Sequence, residues 1–147
     1  MKKIIFTLLF IATISVAKSQ TITDTAAYLI DSIQAKKAYY IGKPLSTLLH
    51  DLRISIKSYL PMTPIPSLPD TIPFASTVLS FYDLNTIMNK MYLRQKDLNI
   101  HIRFNTPILI PKTSFMIGGF FYGTEWTTQK ANFFGQYILS DINVRGL

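Results

Sequence analysis

The residue pair with the most distinct chemical character is Glu125 and Trp126. They are the only glutamate and the only tryptophan of the chain, and they are adjacent. A carboxyl group beside an indole ring can have a raised pKa and act as an acid. A glycosidase needs a second carboxylate facing the sugar, and no spacing in the sequence marks one. The structural alternative places the glutamate in the first turn of a helix, where negative charge is favourable, and buries the tryptophan against Phe133 or Phe134.

Two histidines are the other candidates for chemistry. On the second predicted helix, His50 lies about 140° around from Leu45 and therefore on the polar face. Asp51 is expected to point elsewhere, because neighbouring residues diverge on a helix. His101 shares the polar side of a predicted strand with Arg103. A histidine beside a carboxylate can act as a general base when a nucleophile or bound water is in reach, but both patterns favour solvated side chains.

Several classes of site are not indicated. The chain has no cysteine, which excludes thiol nucleophiles, thiolate metal sites and disulfides. No pair of histidines has helical ligand spacing, no loop resembles a calcium loop, and no glycine pattern fits a phosphate or a dinucleotide. We therefore expect no catalytic residue, no metal and no cofactor. The candidate binding residues are Trp126, Glu125, His101 and Arg103.

Periodicity predicts the elements that position these residues. Helices are predicted over 24–37 and, after Gly42 and Pro44, over 45–52, with a short strand at 39–41 between them. After residue 53 the period changes from 3.6 to 2, which predicts a strand containing Ile54 and Ile56. The second helix should place Leu48 and Leu49 in the core. Its apolar face consists of Leu45, Leu48, Leu49 and Leu52.

A proline-dense segment, 61–73, separates the two halves of the chain. Five prolines in this segment predict an exposed loop, because proline is excluded from helix interiors and central strands. The Pro61 and Pro64 spacing also fits a proline-rich ligand, although no basic residue flanks it. A strand is then predicted over 76–82. A helix capped by Asp83 follows, with its methionines filling the core.

The C-terminal third is predicted to be mainly strand. Residues 98–104 alternate most regularly, with Leu98, Ile100, Ile102 and Phe104 on one side. Further strands are predicted over 115–122 and 137–144, and a helix capped by Thr124 over 125–134. The fold class is therefore α+β, with an antiparallel or mixed sheet of four to six strands. About three to four helices should pack largely on one face.

The N-terminus has the pattern of a secretory signal peptide. Lys2 and Lys3 precede the apolar run 4–16, and Ala17 and Ser19 supply small residues before a cleavage site. The run is too short to span a bilayer comfortably, which takes roughly 20 residues. We expect a signal peptide at 1–19, a single domain at 20–147, and no membrane span after cleavage. A retained N-terminal anchor is the alternative.

Composition narrows the location and the partners. Three of the 15 basic residues lie in the predicted leader, which leaves 12 basic against 8 acidic residues, scattered along the chain. This modest charge gives no reason to expect nucleic acid. An exported domain without disulfides fits a bacterial periplasm or cell surface better than a eukaryotic secreted protein.

Two resemblances accompany these patterns. The leader ending in Ser19-Gln20, with a composition rich in lysine, asparagine and isoleucine, resembles small uncharacterised exported proteins of Bacteroidetes type. The glycine, short helix and strand of residues 40–60 distantly resemble a unit of PASTA domains, but the proline-rich loop has no place in a domain of that size. We expect an exported, non-enzymatic binding or interaction domain for a protein or glycan partner. The alternative is a cell-wall or glycan hydrolase that uses Glu125 and a histidine.

Overall fold

The computed structural model describes residues 24–62, 70–111 and 123–146. The predicted signal peptide and the predicted strand over 115–122 lie outside these residues. Along the chain the elements are α1 (Thr25–Tyr28), which continues as a π-helical turn (Leu29–Gln34), α2 (Lys37–Tyr40), α3 (Leu45–Asp51), β1 (Ser58–Met62), β2 (Thr71–Ser80), α4 (Leu84–Tyr92), β3 (Asn99–Pro111), α5 (Thr128–Gly135) and β4 (Leu139–Arg145).

The four strands form one antiparallel sheet in the order β1-β2-β3-β4. Each strand pairs with its neighbours in sequence, so no strand crosses over another. Two irregularities in register occur, one between Phe74 and Ser76 of β2 and one between Arg103 and Phe104 of β3. The predicted α+β class with a four-stranded antiparallel sheet is confirmed.

One face of the sheet carries the hydrophobic core. In β3 the predicted alternation is observed, since Ile100, Ile102 and Phe104 are buried while Arg103 is exposed. Helical residues cover this face. Those that are fully buried in the same cluster are Leu29, Ile33, Tyr40, Leu45, Leu48 and Phe134. Leu48 is therefore a core residue as predicted, whereas Leu49 is only partly buried.

Both edges of the sheet are covered by backbone segments. At β4 the N–H of Gly42 donates to the Leu139 carbonyl at 2.8 Å, and the Leu139 N–H donates to the Lys43 carbonyl at 2.9 Å. At β1 the Tyr59 N–H donates to the Thr124 carbonyl at 2.8 Å. Covered edges remove a template for pairing with another chain.

Three local predictions are wrong. Tyr39 and Tyr40 end the helix α2 instead of forming a strand. The strand predicted at Ile54 starts only at Ser58. Pro61 lies in β1 and Pro73 lies in β2, so both ends of the predicted proline-dense loop are strand. Residues 63–69 of that predicted loop lie outside the described residues.

No helix in the described part of the chain is long and apolar enough to cross a membrane.

Candidate functional site

Glu125 and Trp126 lie in an extended segment beside β1, not in a helix. Glu125 forms an isolated antiparallel bridge with Ser58, and the Trp126 N–H donates to the Lys57 carbonyl at 3.1 Å. The helix α5 begins two residues later, after the N-cap residue Thr127. The predicted helix start is wrong because pairing with the open edge of β1 satisfies this backbone.

The Trp126 ring packs against the core. It stacks on Phe134 with ring centroids 6.0 Å apart and planes 11° apart, and it meets Tyr59 edge-on at 5.9 Å. Contact with Phe134 was expected, although it does not arise from a shared helix face. The Glu125 side chain is exposed and has no hydrogen bond among the described residues. In the described part of the chain no hydrogen bond or ion pair joins it to a histidine or to a second carboxylate, whereas the hydrolase alternative requires such a neighbour.

The buried charge next to this segment is Lys130, which the sequence patterns did not indicate. Its side chain is 4% exposed. Its ammonium donates to the Glu125 carbonyl at 2.8 Å and lies 4.6 Å from the Tyr59 ring centroid. Burial lowers the pKa of Lys130, and the charge of Glu125 partly opposes that effect. A lysine of lowered pKa is a potential nucleophile, but this one is enclosed and ties α5 to the segment beside β1.

His101 and Arg103 lie elsewhere, on the polar face of the sheet. Opposite them on β4 are Asn143 and Asp141 respectively. The Asp141 carboxylate forms an ion pair with Lys37 and not with the opposite Arg103. Arg103 has no ion pair among the described residues. Hydrogen bonding to Lys37 is also the main cause that lowers the pKa of Asp141.

The His101 ring is the unusual group on that face. Its Nε2 atom is buried and has no hydrogen-bond partner among the described residues, as is also true of Asn99 Oδ1. Burial lowers the pKa of His101, followed by the charges of Arg145 and Arg103, while Asp141 acts in the opposite direction. A neutral imidazole is favoured there. The four predicted binding residues are thus divided between the outer edge of β1 and the polar face of β3.

His50 has the carboxylate neighbour that the helix pattern argued against. Its Nδ1 atom lies 3.3 Å from Asp51 Oδ1. The expectation that they diverge is wrong, because the Tyr40 hydroxyl donates to Asp51 Oδ2 at 3.1 Å and Asp51 ends its helix. The hydrogen bond with His50 is the largest cause that lowers the pKa of Asp51, followed by the bond from Tyr40.

The His50 pair borders a shallow groove between α3 and α5, of about 530 Å³. Its polar lining residues include Ser46, His50, Asn132 and Gln136. The His50 side chain is 89% exposed. Catalysis by a histidine and a carboxylate benefits from a site that excludes water, and bulk solvent reaches this imidazole. The pair therefore lacks the enclosure of an active site.

The most distinctive surface is on α4. Only Ile87 of this helix is buried, whereas the predicted core methionines Met88 and Met91 are 57% and 64% exposed. The prediction that they fill the core is wrong. We use the term α4 surface for its exposed apolar residues, which are Leu84, Met88, Met91, Tyr92 and Leu93.

Basic side chains border the α4 surface. Lys90, Arg94 and Lys96 lie in or just after the helix, and no acidic residue occurs from 84 to 96. The sequence signal was present: an amphipathic helix with basic residues and a run of apolar residues through position 93. Periodicity alone does not distinguish a helix face that meets the core from one that meets solvent.

No group of three or more potential metal-binding side chains occurs among the described residues. Comparison of the chain with known protein families, with curated proteins and with solved structures gave no match.

Proposed function

We propose that this protein is an exported, non-enzymatic binding domain that attaches to the cell envelope through the α4 surface. The observation that supports the proposal is the exposure of five large apolar side chains within ten residues, on one helix and the residue that follows it. Contiguous exposed apolar surface on a soluble domain marks an interaction site more often than isolated apolar residues do. Methionine is common at adaptable binding surfaces because its side chain is flexible and polarisable.

The rest of the molecule supports binding over catalysis. Glu125 is exposed without a second carboxylate nearby, His50 is open to solvent, and Lys130 is enclosed and hydrogen-bonded. None of these groups has an activated nucleophile among its described contacts, which acyl or glycosyl transfer would require. The fold instead places α4 in the connection between β2 and β3.

Export follows from the leader pattern and is part of the same proposal. Cells that express the protein should yield a mature chain that begins at Gln20, as read by intact mass spectrometry. A recovered chain that still carried residues 1–16 would indicate an anchor, and the α4 surface would then not be needed for attachment.

The test is cell fractionation with single substitutions on the surface of the mature chain. Wild-type protein should sediment with the envelope, and Met88→Asp should move most of it to the soluble fraction. The matched control is Leu109→Asp, because Leu109 is 58% exposed and lies on β3, outside the α4 surface. Glu125→Gln should leave attachment unchanged. Equal release of Met88→Asp and wild type would refute the proposal.

A further inference from the structure

Three of the exposed apolar residues of α4 form one stripe along the helix. At about 100° per residue, Leu84, Met88 and Met91 fall within an arc of about 60° on the helix. Ile87 lies about 40° beyond Met91 around the helix and is buried at 3% exposure. The stripe therefore lies beside the buried side of α4, and its side chains remain 42% to 64% exposed.

The positive charge is concentrated at the C-terminal end of the stripe. Lys90, Arg94 and Lys96 supply three positive charges, and no acidic residue lies between positions 84 and 96. Two carboxylates flank this segment: Asp83 caps the helix by accepting from the Thr86 N–H at 2.8 Å, and Asp97 accepts from the Ser80 hydroxyl and the Asn99 side-chain amide. A flexible apolar stripe bordered by cations complements a surface with apolar depth and anionic oxygens.

Arg94 adds an independent observation. It has φ of 54°, and it is the one non-glycine residue with positive φ in the described part of the chain. The N–H of Gln95 donates to the Lys90 carbonyl at 2.8 Å and that of Arg94 to the Met91 carbonyl at 3.1 Å, which is the helix-ending pattern that usually has glycine at this position. An arginine there is strained. The arginine places a positive charge at the end of the apolar stripe.

We propose that α4 and its C-terminal turn dock on an anionic lipid surface, with the helix lying in the plane of the interface. The inference rests on the proposed function and names its ligand as the phosphate-bearing headgroups and upper acyl chains of a bilayer. Leu84, Met88 and Met91 enter the acyl boundary, while Lys90, Arg94 and Lys96 contact headgroup phosphates. This is the division of roles that interfacial amphipathic helices use.

A lipid surface fits these observations better than a folded partner. Protein interfaces have packed, shape-complementary cores, whereas two of the three stripe residues are methionines, whose unbranched side chains have an adaptable outline. A nine-residue helix is too short to span a bilayer, but it is long enough to lie within the headgroup region. The cations border the stripe, where side chains can extend to the phosphates.

The test uses the mature chain and sedimentation with vesicles. Vesicles of phosphatidylcholine containing phosphatidylglycerol should bind the protein, and pure phosphatidylcholine vesicles should bind it at least about tenfold less. Binding should also weaken strongly at about 1 M salt, where the Debye length is about 3 Å. Met88→Asp should reduce binding about tenfold or more, while Leu109→Asp should bind as wild type does.

Arg94→Gly separates the role of the side chain from that of the fold. Loss of one surface cation should weaken binding to the anionic vesicles about fivefold. The same change relieves the positive φ, so the thermal midpoint should rise. Arg53→Gln removes one charge from an exposed residue of the loop after α3 and should leave vesicle binding unchanged. Weaker binding in a more stable protein cannot be explained by damage to the fold.

Four outcomes would overturn the inference in distinguishable ways. Equal binding to both vesicle types would mean that the cations do not select anionic lipid. Envelope attachment that depends on Met88 without any vesicle binding would retain the proposed function and replace lipid by a protein or glycan. Concentration-dependent dimerisation, abolished by Met88→Asp and seen in light scattering, would identify a second copy as the occupant. Failure of both vesicle binding and envelope attachment would remove the proposed function as well.

Discussion

Alkaline pH should destabilise the domain through Tyr40, which connects α2 to the end of α3. Its ring is 1% exposed, and its hydroxyl donates to Asp51 Oδ2 at 3.1 Å. Burial, followed by the hydrogen bond to Asp51, raises the pKa of Tyr40 from 10.0 to about 12. The folded state therefore keeps this proton at pH values where the unfolded chain has released it. The resulting stability is fully present below about pH 10 and is lost as the pH rises through about 12.

The size of this effect follows from the shift. A rise of the pKa from 10.0 to about 12 stabilises the folded state by about 2.7 kcal/mol below about pH 10. About 1.4 kcal/mol of this stability is lost by about pH 11. Tyr40→Phe removes the ionisation and also the hydrogen bond, which contributes about 1 kcal/mol at neutral pH. The variant should thus be less stable than wild type at about pH 8 and about equally stable near pH 11.

Urea unfolding, followed by circular dichroism across this pH range, measures the difference directly. Tyr59, whose burial also raises its pKa to about 12, destabilises both proteins equally and cancels in the comparison. Tyr92→Phe is the control, because Tyr92 is 86% exposed and should follow the wild-type curve. Parallel curves for wild type and Tyr40→Phe would show that burial of the Tyr40 hydroxyl does not control its ionisation.

Two further pairs of substitutions test the packing. Leu48→Ala should lower the free energy of unfolding by about 2–5 kcal/mol. Leu49→Ala should lower it by only about 1–2 kcal/mol, because Leu49 is partly buried and borders the groove between α3 and α5. Equal losses in urea denaturation would contradict the conclusion that Leu48 faces the core and Leu49 does so only in part. Gly42 and Gly146 both have positive φ, but a Cβ at Gly146 would overlap the Asp97 carbonyl oxygen while one at Gly42 meets nothing. Gly146→Ala should therefore lower the thermal midpoint more than Gly42→Ala, whose cost is backbone strain of about 1 kcal/mol.

The sequence predicted those helices and strands whose apolar periodicity or capping residue is clear within a few consecutive residues. The leucine face of α3, the Asp83 cap of α4 and the alternation of β3 depend on local spacing, and all three are present. The helix at Tyr39 and Tyr40 was predicted as a strand, and the reason for the error is non-local. The Gly42 N–H donates to the Leu139 carbonyl and the Lys43 carbonyl accepts from the Leu139 N–H, so residues 42 and 43 pair with β4 while the residues before them are helical.

The candidate site was less accessible to sequence reasoning. The approach of His50 to Asp51 depends on a hydroxyl eleven residues away in sequence, at Tyr40. Burial of Lys130 depends on the Glu125 carbonyl and the Tyr59 ring, which the edge pairing beside β1 brings together. Contacts of this kind follow from tertiary packing, and residue spacing does not determine them.

The failure at α4 has a different meaning. Its apolar periodicity was read correctly, yet Met88 and Met91 face solvent while aromatic and branched residues such as Phe74, Phe134 and Ile102 fill the core. A chain that follows only folding stability would place polar residues on that stripe and glycine at position 94. Local rules that fail together on one helix, with no gain in packing, are expected where a surface is retained for binding. Under the proposal of lipid docking, the strain at Arg94 and the exposure of Met88 have one common explanation, and the Arg94→Gly experiment tests it by the opposite signs of its two effects.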